Sequence, residues 1–253
     1  MATGTESLGN NKVYIHEFIE ISGHNRAKYM HHMTANWCPI AREERDQLCF
    51  GVWATVGSTG RWPEVVNMWE YRDWEGLAAN FAHELVGTGA QDPSLLEWWS
   101  EATSLRSGGL DRIVVPTPWS PSIEEHNTAG TNGIAYAHEL VTTPLGEVDR
   151  YLDALHNSGL NAYAEAGLTP IGSYHTAMSA RDEAIVIWAI PDWSTWVNFE
   201  RAWDDAATVW PWRATVESLS ARTQRILLVD SPLAPLRTGR QPQVSDRRPL
   251  SEI

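Results

Sequence analysis

The same short motifs occur twice in this chain of 253 residues, and they occur in the same order. Four pairs of segments correspond, at offsets of 122, 121, 119 and 113 residues: Tyr14–Glu17 with Tyr136–Glu139, Gly51–Thr55 with Gly172–Thr176, Trp69–Trp74 with Trp188–Trp193, and Arg112–Ile113 with Arg225–Ile226. Because the order is kept while the offset shrinks, we interpret the chain as a duplicated unit whose second copy has shorter loops.

Each half is predicted to fold as β-α-β-β-α-β. Runs rich in β-branched and aromatic residues predict eight strands, at 13–21, 48–56, 65–71, 111–115, 134–142, 170–178, 183–190 and 224–229. Apolar spacing and start signals predict helices over 23–45, with Pro39 starting a second segment or kinking the first, over 73–104 with a break near 87–93, and over 145–166 and 192–221. Asp73 and either Asp192 or Ser194 are expected to cap helices, and Gly108-Gly109 predicts a turn.

This order of elements is the ferredoxin-like split unit. Its helices cover one face of an antiparallel sheet, so a second copy is needed to bury the other face. We therefore predict an α+β protein in which two ferredoxin-like halves form a dimeric α/β-barrel within one chain. The halves span 12–116 and 134–236. Residues 117–133 are interpreted as a linker rich in Pro, Gly, Ser and Thr, and 237–253 as a tail that is disordered or draped over a neighbour.

The segment Trp62–Trp74, WPEVVNMWEYRDW, combines a strand with an Asp-Trp helix start. It resembles the NIPSNAP family, which belongs to the dimeric α/β-barrel superfamily. The resemblance covers the first half and, more weakly, the second half, where Ile190-Pro191 replace Tyr71-Arg72. It implies the fold, and it implies relatives that include cofactor-free monooxygenases, cyclases, isomerases and heme enzymes. It transfers no catalytic signature to this chain, because one fold hosts many functions.

The composition excludes several classes of partner. A net charge of −13 argues against binding to nucleic acid or to an anionic membrane surface. No apolar run approaches the roughly 20 residues that span a bilayer, and the first residues lack the apolar core of a signal peptide. Cys38 and Cys49 have no motif around them and are expected to be small buried hydrophobes. A cytoplasmic protein is therefore predicted, and a homodimer is left open.

The repeated Tyr-x-His-Glu motif supplies the first candidate site. Side chains alternate along a strand, so the tyrosine and histidine share one face and the glutamate points the other way. A strand histidine can act as general acid or base, but a histidine that is merely hydrogen-bonded would also explain the motif, and its repetition favours that structural interpretation. From this motif we expect catalytic roles for His16, His138, Glu17 and Glu139, and substrate contacts from Tyr14 and Tyr136.

Positions at which the halves differ supply the second candidate. His175 stands where the first half has Ala54, and it follows Tyr174, whose counterpart is Trp53. A histidine present in one copy marks a single functional cavity, so His175 and Tyr174 join the expected catalytic residues. The first half alone carries Glu70, Tyr71 and Arg72; Glu70 and Arg72 are expected to pair at a solvent-facing edge.

These residues predict a cofactor-independent enzyme that acts on a hydrophobic aromatic or polycyclic molecule by His-mediated proton transfer. Cyclase, isomerase, dehydratase, lyase or monooxygenase chemistry fits that description. The 14 tryptophans favour an aromatic cavity, with walls expected from Trp53, Trp69, Tyr174 and Trp188 and a further substrate contact from Tyr71. Two alternatives stay open: a heme protein with one of these histidines as axial ligand, and a non-enzymatic scaffold. No metal site is predicted, because His24, His31 and His32 lack ligand spacing.

Overall fold

The computed structural model describes residues 9–86, 89, 91–205, 207 and 210–253. Eight strands run in chain order: β1 (Val13–Ile21), β2 (Gln47–Thr55), β3 (Glu64–Tyr71), β4 (Arg106–Pro116), β5 (Ala135–Thr142), β6 (Thr169–Thr176), β7 (Glu183–Ile190) and β8 (Arg222–Asp230). All eight overlap the predicted strands, and the largest difference is β4, which begins five residues earlier.

The eight strands close into one barrel in the order β1-β3-β2-β8-β5-β7-β6-β4. The strands of the two halves correspond as β1 to β5, β2 to β6, β3 to β7 and β4 to β8. If each strand is exchanged for its counterpart, the cyclic order around the barrel stays the same. The pairs β2–β8 and β4–β6 join the halves, so each sheet completes the other. The predicted α+β fold, with two ferredoxin-like halves in an α/β-barrel, is confirmed.

Strand alternation divides the buried side chains between the barrel lumen and two outer layers. On β1, Tyr14 and Phe18 belong to the cluster inside the barrel, whereas Ile15 and Ile19 pack toward the helices of the first half. A third cluster lies between the second sheet and its helices. The molecule therefore has three packed layers of side chains, and adjacent residues of one strand lie in different layers.

The described part of the chain contains ten α-helices: α1 (Arg26–His31), α2 (Cys38–Arg45), α3 (Trp74–Glu84), α4 (Leu96–Leu105), α5 (Ile123–Ala129), α6 (Val148–Ala154), α7 (Leu160–Glu165), α8 (Trp193–Asp204), α9 (Pro211–Ser218) and α10 (Pro235–Thr238). A π-helical turn, His32–Trp37, joins α1 to α2, and Leu155–Gly159 joins α6 to α7 in the same way. Among the described residues, no helix is long and apolar enough to cross a membrane.

The predicted caps are present in both halves. The carboxylate of Asp73 accepts from Gly76 N at 2.7 Å, and that of Asp192 accepts from Thr195 N at 2.8 Å. Each satisfies a backbone donor in the first turn of its helix, which fixes where α3 and α8 begin. Asp192, rather than Ser194, is the cap of α8.

The two halves also share a close approach inside the barrel. A Cβ atom added at Gly51 would lie 2.0 Å from the ring of Trp53, and one added at Gly172 would lie 2.3 Å from the hydroxyl of Tyr174. Both glycines follow a register shift in their strand. Each large ring therefore lies across its own strand and fills the lumen, and only glycine leaves it room.

Two predictions about connecting segments are wrong. Gly108-Gly109 lies within β4 and pairs with β1. The linker 117–133 contains α5, which Ser122 and Glu125 cap reciprocally, and its Ile123 is fully buried in the lumen cluster. Turn-forming residues dominate this segment, so its sequence does not indicate a helix. The helix has two turns and is stabilised by burial more than by propensity.

The tail 237–253 is packed on the protein instead of being disordered. The side chain of Gln241 pairs with the backbone of Cys49, accepting from its N–H at 3.0 Å and donating to its carbonyl at 2.8 Å. The guanidinium of Arg247 donates to Ala35 O at 3.3 Å. These contacts satisfy polar groups of β2 and of the π-helical turn, which a polar, aperiodic sequence does not reveal.

Candidate functional site

The residues expected to form one site lie in three separate places. The lumen holds Tyr14, His16, Trp53, Tyr136, His138 and Tyr174; the layer under the first helices holds Glu17, Trp69 and Tyr71; and the layer under the second helices holds Glu139, His175 and Trp188. The expected single cavity walled by Trp53, Trp69, Tyr174 and Trp188 is therefore wrong. Trp53 and Trp69 point to opposite faces of one sheet, as do Tyr174 and Trp188.

The two repeated histidines meet at the centre of the barrel. His16 Nε2 lies 3.2 Å from His138 Nδ1, and both side chains are 0% exposed. Burial, with the Arg112 guanidinium nearby, lowers the pKa of His16 to about 3. Burial, with His16 beside it, lowers the pKa of His138 well below its usual value. Both imidazoles are thus neutral near pH 7, and packed side chains separate them from solvent.

The expectation of an edge pair between Glu70 and Arg72 is wrong. Glu70 is 1% exposed and lies in the lumen, where Tyr14 Oη donates to it at 3.0 Å and Ile123 N at 2.9 Å. Lys12 Nζ lies 3.1 Å from the same carboxylate. Burial raises the pKa of Glu70, and Lys12 opposes that shift. Glu70 therefore anchors the linker helix to the barrel.

The glutamate of the second half, Glu139, is fully paired. Its carboxylate accepts from Tyr163 Oη at 2.6 Å, from Trp188 Nε1 at 3.0 Å and from Arg225 Nη1 at 3.2 Å. Arg225 also binds Glu200 at 2.7 Å. Glu139 is 0% exposed, so these contacts replace the water that a buried carboxylate loses. This is a structural ion-pair network.

The corresponding glutamate of the first half, Glu17, has a different environment. Asn67 Nδ2 donates to Glu17 at 2.9 Å and to Tyr29 Oη at 3.0 Å. Burial raises the pKa of Glu17 to about 7, and repulsion from the Asp111 carboxylate adds to the shift, while hydrogen bonds from Asn67 and Trp69 oppose it. Glu17 is half-buried and Asp111 is exposed, so this carboxyl pair is accessible from solvent.

Strand register explains the contrast between the two glutamates. Glu17 stands opposite Asp111 on β4, and Glu139 stands opposite Arg225 on β8. Asp111 is therefore the counterpart of Arg225, and the sequence match of Arg112 with Arg225 is out of register by one residue. A shift of one residue moves a side chain to the other face of the sheet: Arg112 faces the lumen opposite His16, whereas Arg225 faces the helices.

A cation and aromatic rings surround the first-half carboxyl pair. The guanidinium of Arg106 lies 5.3 Å from the ring centroid of Trp99. Its charge lowers the pKa of Asp111 and of Glu17, opposing the effect of burial on each. Burial raises the pKa of Tyr29 above its usual value, and Arg106 opposes this shift too. A base, a cation and a phenol hydroxyl thus converge beside aromatic side chains.

His175 lies away from this group. It is on the helix-facing side of β6, half-buried, and burial together with Arg181 lowers its pKa, whereas Asp149 raises it. Sequence reasoning placed Glu17 among the candidates but missed Asp111, Asn67 and Arg106. The signal that could have found Asn67 and Asp111 is their position: both stand opposite Glu17 on the strands that flank β1.

Three histidines, His16, His138 and His32, contact other protein groups through their rings. His16 and His138 touch each other in a filled lumen, and His32 stacks on Trp98 with its centroid 5.0 Å away while Asn36 and the Trp98 carbonyl contact its two ring nitrogens. Within the described residues, no three His, Cys, Asp or Glu side chains converge to hold a metal ion.

Solved structures similar to this chain share its architecture. An anthrone oxidase-like protein matches with a TM-score of 0.55 and 12% identity, over 88% of this chain and 94% of that one. A monooxygenase-like protein from Lactobacillus acidophilus NCFM matches with a TM-score of 0.52 and 8% identity, over 87% and 97%. This chain and both of these proteins share the α/β-barrel fold. Identities this low show the fold and no more.

A NIPSNAP-like domain protein from Burkholderia xenovorans is also among the similar structures. It matches with 19% identity and a TM-score of 0.35, over 45% of this chain and 91% of that chain. No protein-family model and no curated protein sequence matches this chain.

Proposed function

We propose that the chain is an enzyme that removes a proton from a hydrophobic aromatic small molecule without an organic cofactor, and that Glu17 is the general base. One observation carries the proposal. The pKa of Glu17 is raised to about 7, whereas its counterpart Glu139 is neutralised by Arg225. A base whose pKa lies near the working pH is suited to proton transfer, and pairs of related carboxyls with different environments often mark such a group.

The neighbouring groups fit the same step. The ionised carboxylate of Glu17 would take a proton from carbon or oxygen, and the electron pair would stay on the substrate. Delocalisation of that pair onto a substrate oxygen creates negative charge, which the Arg106 guanidinium would stabilise. Return of the proton at another atom completes an isomerisation, and loss of a leaving group completes an elimination.

The substrate class follows from the surrounding side chains. Trp99 is half-buried and offers an aromatic face that already stacks on the Arg106 cation, whereas Trp69 and Tyr29 are buried and pack beneath the carboxyl pair. Aromatic faces favour aromatic ligands through offset or edge contacts. The histidines of the lumen are less suited to the proton transfer, because both are buried and touch each other.

An oxygenase reaction is the version that the fold likeness favours. In a substrate such as anthrone, the anion formed by Glu17 would react with dioxygen. The methylene carbon would become a carbonyl, and the second oxygen atom would leave as water with the two hydrogens that the carbon loses. This reaction requires no electron donor besides the substrate.

The test measures oxygen uptake and absorbance changes with anthrone and related hydroxyaromatic ketones between pH 5 and 9. We expect the rate to rise with pH with a midpoint near 7. Glu17→Gln should lower kcat by about 100-fold or more, the usual contribution of a general base. Asp111→Asn should move the midpoint to lower pH, because it removes a repelling charge.

Glu165→Gln, at an exposed position on α7, is the matched control and should retain wild-type kinetics. Full activity of Glu17→Gln would exclude the proposed base. An unshifted midpoint in Asp111→Asn would exclude the carboxyl pair as the cause of the pH profile. Absence of turnover by the wild-type protein on all these compounds would contradict the substrate class.

A further inference from the structure

A cavity that is separate from the Glu17 site lies under the C-terminal tail. It has a volume of about 350 Å³, within the range of small-molecule sites. Three segments form it: α1, the turn after β8, and the tail. Its wall includes Met30, His31, Ser231, Leu233, Arg248 and Ile253.

An unsatisfied hydroxyl lies at the cavity wall. Ser231 is 0% exposed, and its Oγ has no hydrogen-bond partner among the described residues. A buried hydroxyl without a partner costs free energy, so a ligand oxygen that accepts from it would be stabilised. The adjacent Met30 and Leu233 supply apolar surface for the rest of such a ligand.

The charged side chains at the cavity are Asp246 and Arg248. Asp246 is neutralised, because Arg240 binds both its carboxylate oxygens at 2.8 Å. None of the ion pairs among the described residues involves Arg248, which leaves its guanidinium available. His31 is neutral where it accepts from Arg248 N at 3.2 Å, and this bond fixes the tail beside the cavity.

We propose that this cavity binds a small carboxylate with an apolar body, and that Ser231 and Arg248 supply its polar contacts. The guanidinium attracts the carboxylate of the ligand. A neutral or cationic ligand of the same shape would lack this attraction. The site shares no residue with the Glu17 group, so it stands independently of the proposed enzymatic activity.

The experiment measures binding of 3-phenylpropanoate to the full chain by calorimetry and ligand-observed NMR. Its neutral and cationic isosteres, 3-phenylpropan-1-ol and 3-phenylpropylamine, are measured in parallel. We expect the carboxylate to bind at least tenfold more tightly than either isostere. Arg248→Gln should remove that preference, and Ser231→Ala should weaken binding several-fold. Arg150→Gln, an exposed arginine on α6, is the matched control and should bind like the wild type.

Met30→Trp fills the cavity and should abolish binding of all three compounds. If this variant does not fold, Arg248→Gln and Ser231→Ala still decide the outcome, because both change surface or hydroxyl chemistry with little change in packing. Equal affinity for the three compounds, unchanged carboxylate binding by Arg248→Gln, or no saturable binding by the wild type at millimolar concentrations would each overturn the proposal.

Discussion

His16 Nε2 lies 3.2 Å from His138 Nδ1, so the two copies of one motif meet at the centre of the barrel. One proton lies between these nitrogens if one ring donates and the other accepts. His16 Nδ1 and His138 Nε2 have no partner among the described residues, and both rings are surrounded by aromatic and aliphatic side chains. The pair therefore ties the two halves together as a neutral, buried contact.

We predict that both imidazoles stay neutral well below the pH at which a free histidine is protonated. The folded-state pKa of His16 is lowered from 6.5 to about 3 by burial. The associated stability is complete above pH 6.5 and is lost as the pH falls toward 3, by about 1.4 kcal/mol per pH unit for each such histidine. NMR of ring-labelled histidine should show two rings that do not titrate between pH 7 and 5, whereas all rings titrate in urea. Titration of the His16 and His138 rings between pH 7 and 5 would contradict the neutral pair.

Glu17 should make the protein less stable at alkaline pH. Its folded-state pKa is raised from 4.5 to about 7, so the stability linked to its neutral form is complete below pH 4.5 and is lost as the pH rises through 7. Glu17→Gln keeps the neutral form and should raise the free energy of unfolding by about 1–3 kcal/mol at pH 8, with little change at pH 4.5. Urea unfolding at the two pH values measures this difference.

The same substitution is expected to lower activity, so stability and function would change in opposite directions. Glu165→Gln, at an exposed position, should show no difference between the two pH values. A Glu17→Gln variant that is less stable than the wild type at pH 8 would show that Glu17 is ionised and well paired in the folded protein.

Removing the arginine of the second half should destabilise the fold strongly. Arg225→Met leaves Glu139, which is 0% exposed, as a buried carboxylate without its cation. We expect a loss of about 3–5 kcal/mol in the free energy of unfolding. Adding Glu139→Gln in the same chain should recover part of the loss. Arg150→Met breaks the exposed pair with Glu147 and should cost at most about 1 kcal/mol. Similar losses for the two arginine variants would refute the structural network.

Gly51 should not tolerate a methyl group. Its added Cβ would lie 2.0 Å from the buried ring of Trp53, so Gly51→Ala should cost about 3 kcal/mol or more. Trp53→Phe removes the nearest ring atoms, and the double variant should lose less stability than the sum of the single variants. Gly108→Ala, whose nearest contact is the Glu20 carboxylate at 3.4 Å, is the matched control and should change stability little. Additive losses at Gly51 and Trp53 would contradict the close approach.

Local patterns predicted the elements well, because strand and helix signals depend on neighbours in the chain. β1 and β7 have the predicted bounds, and Asp73 and Asp192 cap their helices. The linker helix and the packed tail were missed, since burial of Ile123 and the pairing of Gln241 with Cys49 depend on distant residues. The candidate site was found only in part. Glu17 was named for its motif, but its partner Asp111 was missed because the sequence match aligned Arg112, and not Asp111, with Arg225.

The sequence alone determined that two similar β-α-β-β-α-β halves exist, because repeated motifs and side-chain periodicity are local properties of the chain. Tertiary structure decided which residues share a space. Alternate side chains of one strand face different layers, so neighbours in sequence such as His16 and Glu17 end in the lumen and under the helices. Register then placed a carboxylate beside Glu17 and a guanidinium beside Glu139, and this difference in charge separates a titratable group from a structural one.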